Sequence, residues 1–332
     1  MIFIFTNKED SHPTNVIKHL VGWGIPVFRL NTECLLTDYE FRWWCSDSQP
    51  ADFYIRNIRN GLEVYGHEIT AVWDRRPKPP YTLPIVHGER SVNKYNREEA
   101  HEFLSFLRYY MRNIFSIGDV VEDRPAGSKM MQLSIARELG MRIPDTCLAN
   151  HKSAFEDLAS RNAQLSLKSL EGSSIFVGGD KEYVFYSQKA SSTAVMQQPE
   201  EAFRQTACFL QNYIEKLYEL RVTVCCNDIV ACKIDSQSQS EATGKIDWRQ
   251  GYEHGLKHEI VTLPEQIQSF CREFLKRMHI NFGCFDFIVT PEKEYVFLEC
   301  NPNGQWLWIE LLTGYDLSQI IARNLSRYEK KN

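Results

Sequence analysis

The stretch that decides the fold lies near the end of this 332-residue chain. It reads Gly283-Cys-Phe-Asp286-Phe287 and then Tyr295-Val-Phe-Leu-Glu299-Cys-Asn301-Pro-Asn-Gly-Gln305-Trp-Leu-Trp308-Ile-Glu310. Each part begins with a short apolar run that carries one acidic residue, Asp286 in the first and Glu299 in the second, and Pro302 and Gly304 follow the second run. Short apolar runs that end at such residues predict two neighbouring strands of a hairpin.

The hairpin carries a candidate metal site. Glu299 and Asn301 are two residues apart, so in a strand their side chains point to the same face. Asp286 on the neighbouring strand can meet them there. Hard oxygen ligands of this kind suit Mg²⁺, which takes substrate phosphates as further ligands. The alternative is a hairpin whose acids face water, but Pro302 and Gly304 end the strand where the ligands lie and favour the metal.

Length and composition limit the class of protein. A chain of 332 residues predicts two or three packed units. A hydrophobic content of 43% excludes wholesale disorder, and a net charge of −5 argues against a general nucleic-acid or membrane binder. The apolar start, Met1–Phe5, is too short for a signal segment. The ten cysteines lack any C-x-x-C spacing, which favours reduced thiols and a cytoplasmic protein over a zinc site.

The chain divides into three predicted units with boundaries at 1–120, 121–205 and 206–332. The first has a β-α-β start, a β-rich meander over 39–75 and an amphipathic helix over 97–112. Later predicted elements are helices over 128–139, 200–211 and 265–279, strands over 165–168, 219–226 and 229–234, and a mobile polar loop over 235–247. An extended run is predicted through Trp306 and Trp308. One of these indoles can pack inward while the other lines a cleft, but core packing is favoured for both.

Two lysines are candidates for binding phosphate. Lys129 opens a helix, where a cation and the helix N-terminus can attract the same anion, although a solvated first-turn lysine is the alternative. Lys168 ends an apolar run just before a glycine-bearing turn, whose backbone N–H groups can surround phosphate oxygens. The residues of that turn in the candidate site are Gly172, Ser173 and Ser174. No P-loop or dinucleotide fingerprint occurs in the sequence.

A third cluster follows at 211–221. The segment from Gln211 to Lys216 lies between two predicted sheets and can offer backbone groups to an adenine edge. Arg221 can neutralise charge on a transferring phosphoryl group, or it can form an inter-strand salt bridge with Glu219 or Glu299. Further candidates for the catalytic task are Lys233 and Arg249.

The order of these motifs resembles the ATP-grasp superfamily over roughly residues 120 to 325. More narrowly, the chain resembles the graspetide synthetases, the microviridin-type peptide macrocyclases, and within them the grasp-with-spasm peptide maturases. The residues that carry this resemblance are Thr6–Asp10, His12–Pro13, Arg29–Glu33, Val72–Pro77 and Asn301–Glu310.

The resemblance implies an α/β ATP-grasp fold with an N-terminal pre-ATP-grasp domain and with ATP between the central and C-terminal domains. It implies that Lys129 and Lys168 contact the ATP phosphates, and that Arg221 lies near the γ-phosphate. The residues implied near the adenine are Glu215, Lys216 and Leu217. Those implied to hold Mg²⁺ are Asp286, Glu299 and Asn301.

The resemblance also implies the reaction and the partner. The family activates Asp or Glu side chains of a ribosomal precursor peptide as acyl phosphates, and a Thr, Ser or Lys side chain of the same peptide then closes a ring. A leader segment of the precursor binds apart from the chemistry, and a homodimer is expected from the family. No nucleic-acid or membrane partner is expected.

Two other functions stay open. An ATP-grasp ligase of the glutamate-ligase type would add an amino acid to a protein or peptide C-terminus. A regulatory module would bind nucleotide without catalysis, although the presence of both lysines and the acidic-amide set argues against this.

Overall fold

The structure of the protein is a computed structural model that describes residues 1–80, 90–118, 125–170, 174–177, 181–238, 242–250 and 255–329. Its strands, in chain order, are β1 (Ile2–Thr6), β2 (Val27–Asn31), β3 (Tyr39–Ser46), β4 (Gln49–Asn57), β5 (Glu63–Tyr65), β6 (Ala71–Asp74), β7 (Phe115–Ile117), β8 (Thr146–Ala149), β9 (Gln164–Lys168), β10 (Ser174–Val177), β11 (Lys181–Val184), β12 (Gln188–Ser191), β13 (Cys208–Asn212), β14 (Tyr218–Cys225), β15 (Asp228–Ile234), β16 (His258–Val261), β17 (Phe282–Val289) and β18 (Tyr295–Asn301). The α-helices with described bounds are α1 (His12–Gly22), α2 (Leu35–Asp38), α3 (Arg90–Tyr110), α4 (Lys129–Glu138), α5 (Glu156–Arg161), α6 (Ser192–Met196), α7 (Glu200–Arg204), α8 (Ala242–Ile246), α9 (Glu265–Arg277), α10 (Leu307–Thr313) and α11 (Leu317–Ser326).

The N-terminal unit is built on a parallel sheet with the strand order β2-β1-β6-β7. All residues of β1 are buried, as expected of a central parallel strand. The predicted β-α-β start is confirmed, because α1 returns the chain to β2. The predicted meander is confirmed for β3, β4 and β5, which form an antiparallel sheet of their own, but its last strand, β6, belongs to the parallel sheet. The helix predicted from residue 97 begins earlier, at Arg90.

The central unit contains an antiparallel sheet with the order β12-β9-β13-β8. The predicted helix over 200–211 is wrong beyond α7, which ends at Arg204, because β13 follows. Phe209 and Leu210 are both buried and pack into different clusters. Pairing on both edges of β13 and burial of these side chains outweigh the helical pattern of the local sequence.

The position of β13 also moves a predicted boundary. The division at residue 205 separates β13 from β8 and β9, but the structure pairs all three in one sheet. Residues 213–217 connect that sheet to β14, the first strand of the next one.

The C-terminal unit is an antiparallel sheet with the order β16-β15-β14-β17-β18. The predicted strand pair and the predicted hairpin are therefore confirmed. One face of this sheet carries the main apolar core, where Phe270 and Phe274 of α9 pack on Phe285 and Phe297. Part of the other face packs against the N-terminal unit, since Ile4 and the strand residues Phe282 and Cys284 belong to one apolar cluster.

Two predictions near the C-terminal unit are corrected. The predicted extended run after Asn301 becomes helix α10 from Leu307 onward. Trp306 is fully buried, whereas Trp308 lines the cleft described below, so the core packing that the sequence favours for both indoles is confirmed for Trp306 only. The predicted polar loop over 235–247 contains two short helices among its described residues, a 3-10 helix at Ser236–Ser238 and α8. Within the described residues, the helices lack the length and apolar character needed to cross a membrane.

Candidate active site

The candidate active site is a cleft of about 950 Å³ between the central and C-terminal sheets. The N-terminal end of α4 and the segment after α8 complete its walls. Its charged lining residues among those described are Lys129, Lys168, Lys216, Glu219, Arg221, Asp247, Arg249, Asp286 and Glu299. Nine charged side chains of both signs thus line one cleft, which is an arrangement suited to a charged ligand rather than an apolar one.

A row of charged residues crosses three adjacent strands at the floor of the cleft. Arg221 of β14 lies opposite Asp286 of β17, and Asp286 lies opposite Glu299 of β18. Directly paired residues of antiparallel strands point to the same face of the sheet. The register therefore brings the predicted arginine and both predicted carboxylates together.

A β-bulge in β18 sets the direction of Glu299. Asp286 pairs with Glu299, whereas the next residue of β17, Phe287, pairs with Phe297, so Leu298 is an extra residue. Such a bulge shifts the alternation of the strand and re-aims a side chain. Phe297 packs in the core, while Leu298 and Glu299 both line the cleft.

Asn301 ends β18 and also lines the cleft. Its Oδ1 accepts a hydrogen bond of 3.0 Å from the backbone N–H of Asn303, which fixes the orientation of the amide. Glu299 and Asn301 thus share one face at the end of the strand, as the spacing of two residues predicts.

Cations hold both carboxylates of the row. Arg221 donates two hydrogen bonds to Asp286, at 2.8 and 2.7 Å, and Lys129 at the start of α4 pairs with Glu299. The alternative partners considered for Arg221 are wrong, because Glu219 pairs instead with Lys216 at 2.9 Å. The alternative of a solvated Lys129 is also wrong, since only 21% of its side chain is exposed.

These contacts separate the proton affinities of the two acids. Burial raises the pKa of Glu299, but Lys129, Lys168 and Arg221 outweigh burial and lower that pKa to about 2. Burial raises the pKa of Asp286 to about 6, the Glu299 carboxylate adds to the rise, and Arg221 opposes it. Glu299 is therefore an anion at neutral pH even without a metal.

Lys168 lies at the end of β9, facing the same volume. Burial lowers the pKa of its ammonium group, and the positive charges of Lys129 and Lys216 lower it further, while Glu299 opposes them. Because burial is the main cause, an anion that binds beside Lys168 would stabilise its charged form.

The donor set fits a magnesium ion that is shared with a ligand. Asp286, Glu299 and Asn301 line the cleft with hard oxygen donors, and Mg²⁺ is usually held by one or two carboxylates together with phosphates and waters. Within the described residues, groups of three or more His, Cys, Asp or Glu side chains that could hold a metal by themselves are absent. A phosphate ligand would therefore have to complete the coordination.

The segment that links the two sheets forms the other end of the cleft. Gln211 and Lys216 line it, and Lys216 is fixed by hydrogen bonds to Glu219 (2.9 Å) and to the Ile246 carbonyl (2.7 Å). Gln211 is buried, and its Oε1 has no hydrogen-bond partner. This end therefore has an unused buried acceptor beside a fixed cation.

Two residues of the candidate adenine set do not reach the cleft. The side chain of Glu215 is 72% exposed and pairs with Lys189, and Leu217 is exposed. Extended backbone alternates its side chains, so Ile214 and Lys216 face inward while Glu215 and Leu217 face outward. Only their backbone lies along this link.

Of the two remaining catalytic candidates, Arg249 faces the cleft and Lys233 does not. Arg249 lines the cleft and is held by Asp247, with Nε–Oδ1 at 2.8 Å. Lys233 pairs with Leu220, which belongs to the main core, so its side chain lies on the opposite face of the sheet, over the ring of Tyr218. The prediction that Lys233 acts in the cleft is therefore wrong, because its side chain points to the other face of the sheet.

The glycine turn cannot be placed in the same way. Gly172 and Ser173 lie outside the described residues, and Ser174 begins β10, of which only the backbone is described. Their predicted contact with phosphate stays a prediction.

Sequence reasoning missed Gln132, which locks the metal hairpin to α4. Its Oε1 accepts from the backbone N–H of Cys300 (2.9 Å), and its Nε2 donates to the carbonyls of Cys300 (2.6 Å) and Ala126 (2.5 Å). Cys300 lies between Glu299 and Asn301 on the edge strand β18. A glutamine in a helix carries no local signal for this contact.

The chain is similar to several known proteins. No family model matches the chain. A curated relative from Syntrophotalea carbinolica (strain DSM 2380 / NBRC 103641 / GraBd1), named "Probable alpha-L-glutamate ligase", is 24% identical over 303 residues, which are 85% of this chain and 94% of the relative.

Two solved structures are similar over nearly the whole chain. The Chryseobacterium gregarium RiPP-associated ATP-grasp ligase, in complex with ADP and a leader and core peptide, has a TM-score of 0.88 and 26% identity and covers 98% of this chain and 96% of its own. The macrocyclase MdnC bound with precursor peptide MdnA, from Microcystis aeruginosa MRC, has a TM-score of 0.81 and 25% identity and covers 98% and 99%. The predicted α/β ATP-grasp fold and the resemblance to peptide-modifying ATP-grasp ligases are confirmed.

Proposed function

We propose that the protein is an ATP-dependent peptide macrocyclase. It activates Asp or Glu side chains of a ribosomal precursor peptide as acyl phosphates and joins them to Thr or Ser side chains as esters, or to Lys side chains as amides. One observation carries the proposal: the charged cleft lies in a chain that matches, over 98% of its length, an ATP-grasp ligase bound to ADP, a leader and a core peptide.

The cations of the cleft would do the electrostatic work of phosphoryl transfer. Lys129 and Lys168 would neutralise phosphate oxygens, and Arg221 would neutralise charge that develops on the transferring group. Arg221 is already fixed by its two hydrogen bonds to Asp286, so little reorganisation is needed when the charge develops. Arg249, fixed by Asp247, would meet the carboxylate of the peptide.

ATP and Mg²⁺ are the cofactors that this donor set would hold. Asp286, Glu299 and Asn301 would bind Mg²⁺, and Gln211 would use its unpaired Oε1 to accept from the adenine amino group. When bound, magnesium ATP supplies the phosphoryl group that gives the substrate carboxylate a good leaving group. This chemistry does not require a covalent nucleophile from the protein.

The partner in this proposal is a precursor peptide with a leader segment. A leader that binds away from the cleft would raise the effective concentration of the core at the reacting groups. The homodimer expected from the family stays a prediction.

The experiment is a mass measurement on the peptide. Purified protein is incubated with Mg·ATP and a precursor that carries clusters of Thr or Ser and of Glu or Asp, and ADP formation is followed in parallel. Each bond that closes removes one water from the peptide, whereas unchanged mass with every candidate precursor would contradict the proposal.

The second candidate is the amino-acid ligase suggested by the curated relative's name. The same experiment with free glutamate separates the two, because addition increases the mass of the acceptor while ring closure decreases it.

A further inference from the structure

The loop that follows the metal hairpin, residues 301–307, is held by the N-terminal unit. It carries Asn301 and the carbonyl of Gln305, which accepts from Trp308 Nε1 (3.2 Å) and Arg221 (3.4 Å). The loop therefore adjoins the last of the candidate metal ligands, Asn301, which also pairs with Cys284 in the sheet. Its fixing contacts come from the start of the chain, far away in sequence.

Arg75 makes the first of these contacts. It follows β6 directly, and its side chain is 1% exposed. Its Nη1 donates to the carbonyls of Asn303 (3.0 Å) and Gly304 (2.8 Å), and its Nε donates to Asp10 (3.0 Å). One guanidinium thus joins two consecutive carbonyls of the loop to an acid of the N-terminal unit.

His12 makes the second contact. Its Nε2 accepts from the backbone N–H groups of Trp306 (3.3 Å) and Leu307 (3.2 Å), and its Nδ1 lies 2.7 Å from Asp10. Because Nε2 accepts, the proton of the neutral ring is on Nδ1 and is donated to Asp10. Asp10 therefore orients both the histidine and Arg75.

The loop packs closely against the hairpin at Gly304. A Cβ atom added at Gly304 would lie 2.3 Å from the Cβ of Cys284, which is on the strand that carries Asp286. The loop is therefore pressed against the hairpin from one side and hydrogen-bonded to the N-terminal unit on the other.

We propose that Asp10, His12 and Arg75 are positioning residues that fix loop 301–307, and with it the Asn301 ligand, at the nucleotide site. This inference rests on the proposed magnesium nucleotide site, but not on the identity of the peptide substrate. Residues that orient metal ligands typically change metal affinity or activity by about 10- to 100-fold when they are replaced.

The test measures ADP binding by calorimetry in the full-length protein, once with Mg²⁺ and once with EDTA. Arg75→Lys keeps the charge but cannot bridge Asp10 and two carbonyls. We expect its Kd for ADP to rise about 10-fold or more in Mg²⁺ and to stay within about 2-fold in EDTA. A merely structural defect would weaken both.

Arg108→Lys is the matched control. Arg108 is also a mostly buried arginine of the N-terminal unit, and it donates to Asp74 (2.9 Å) without touching loop 301–307. The Arg108→Lys variant should have a lower thermal midpoint of unfolding, while the Mg²⁺ dependence of its ADP binding should be unchanged.

Two variants of His12 test the same inference if Arg75→Lys does not fold. His12→Gln retains an acceptor for the loop amides, so its ADP binding should stay dependent on Mg²⁺. His12→Leu removes the acceptor, so its ADP binding should lose the Mg²⁺ dependence. Wild-type Mg²⁺ dependence in both Arg75→Lys and His12→Leu, or equal weakening with and without Mg²⁺, would overturn the inference.

Failure of the proposed function gives a different result. If the wild type binds ADP more tightly with Mg²⁺ but never closes a ring, the macrocyclase proposal fails and the positioning role stands. If Mg²⁺ has no effect on ADP binding by the wild type, the positioning role is refuted.

Discussion

Replacement of Gln132 by leucine tests how the metal hairpin is held. Gln132 is 1% exposed and satisfies three backbone groups: the N–H and carbonyl of Cys300 and the carbonyl of Ala126. Leucine has a similar volume but offers no donor or acceptor. All three groups would then be buried without partners.

The cost follows from the number of groups. Each buried polar group that loses its partner costs about 1–3 kcal/mol, so three groups at the lower end cost about 3 kcal/mol. Such a loss should lower the thermal midpoint by several degrees. The affinity for ADP in Mg²⁺ should fall as well, because Cys300 lies between the candidate ligands Glu299 and Asn301.

Calorimetric melting and hydrogen exchange measure the two effects. The amide of Cys300 is protected by Gln132 on an edge strand, so its exchange should accelerate strongly in Gln132→Leu. Gln268→Leu is the control, since Gln268 donates to Leu263 near the start of α9, away from the cleft. A Gln132→Leu variant with the wild-type midpoint and unchanged exchange at Cys300 would refute the reasoning.

Three further predictions follow from the same geometry. Glu299→Gln should abolish both Mg²⁺-dependent nucleotide binding and ring closure; near-normal cyclisation in mass spectrometry would remove Glu299 from the metal site. Lys168→Ala should reduce turnover at least about 100-fold because a phosphate cation is lost, whereas Lys233→Ala on the opposite face should leave steady-state turnover nearly unchanged, and equal losses would contradict this assignment. Burial lowers the pKa of His12 from its ordinary 6.5, so the folded state binds its proton less readily than the unfolded state. Stability should be complete above about pH 6.5 and fall as the pH decreases through the lower folded pKa, with a further loss when Asp10, whose pKa is held down by His12 and Arg75, is protonated. Melting of wild type and His12→Gln across pH 5 to 8 should show the steeper dependence in the wild type, and parallel curves would count against it.

The local sequence pattern was enough to predict an element where its residues follow one structural pattern. The hairpin with Asp286 and Glu299 could be predicted because each strand is a short apolar run that ends at turn-forming residues. The segment over 200–211 could not, because a strand paired on both edges is favoured by partners that its own sequence does not contain.

Side-chain parity explains the mixed outcome at the candidate site. Lys233 and Arg221 lie on neighbouring strands. The register of these strands alone decides that Arg221 faces the cleft and Lys233 the opposite face of the sheet. The same rule separates Lys216 from Glu215, which are adjacent in sequence. A sequence names the charges of such a segment but does not fix the face on which each lies.

The amino-acid sequence alone determined the chemistry of this protein: oxygen ligands at a strand end, lysines before a helix and a turn, and the resemblance that joins them. Residue type and short-range spacing suffice for that, because they fix which groups can bind a metal or a phosphate. Only the tertiary structure decided which groups meet. The bulge that aims Glu299, the glutamine that covers the edge of β18 and the Arg75–Asp10–His12 contacts with loop 301–307 all join residues far apart in the chain. Such contacts depend on packing between units, which no local pattern encodes.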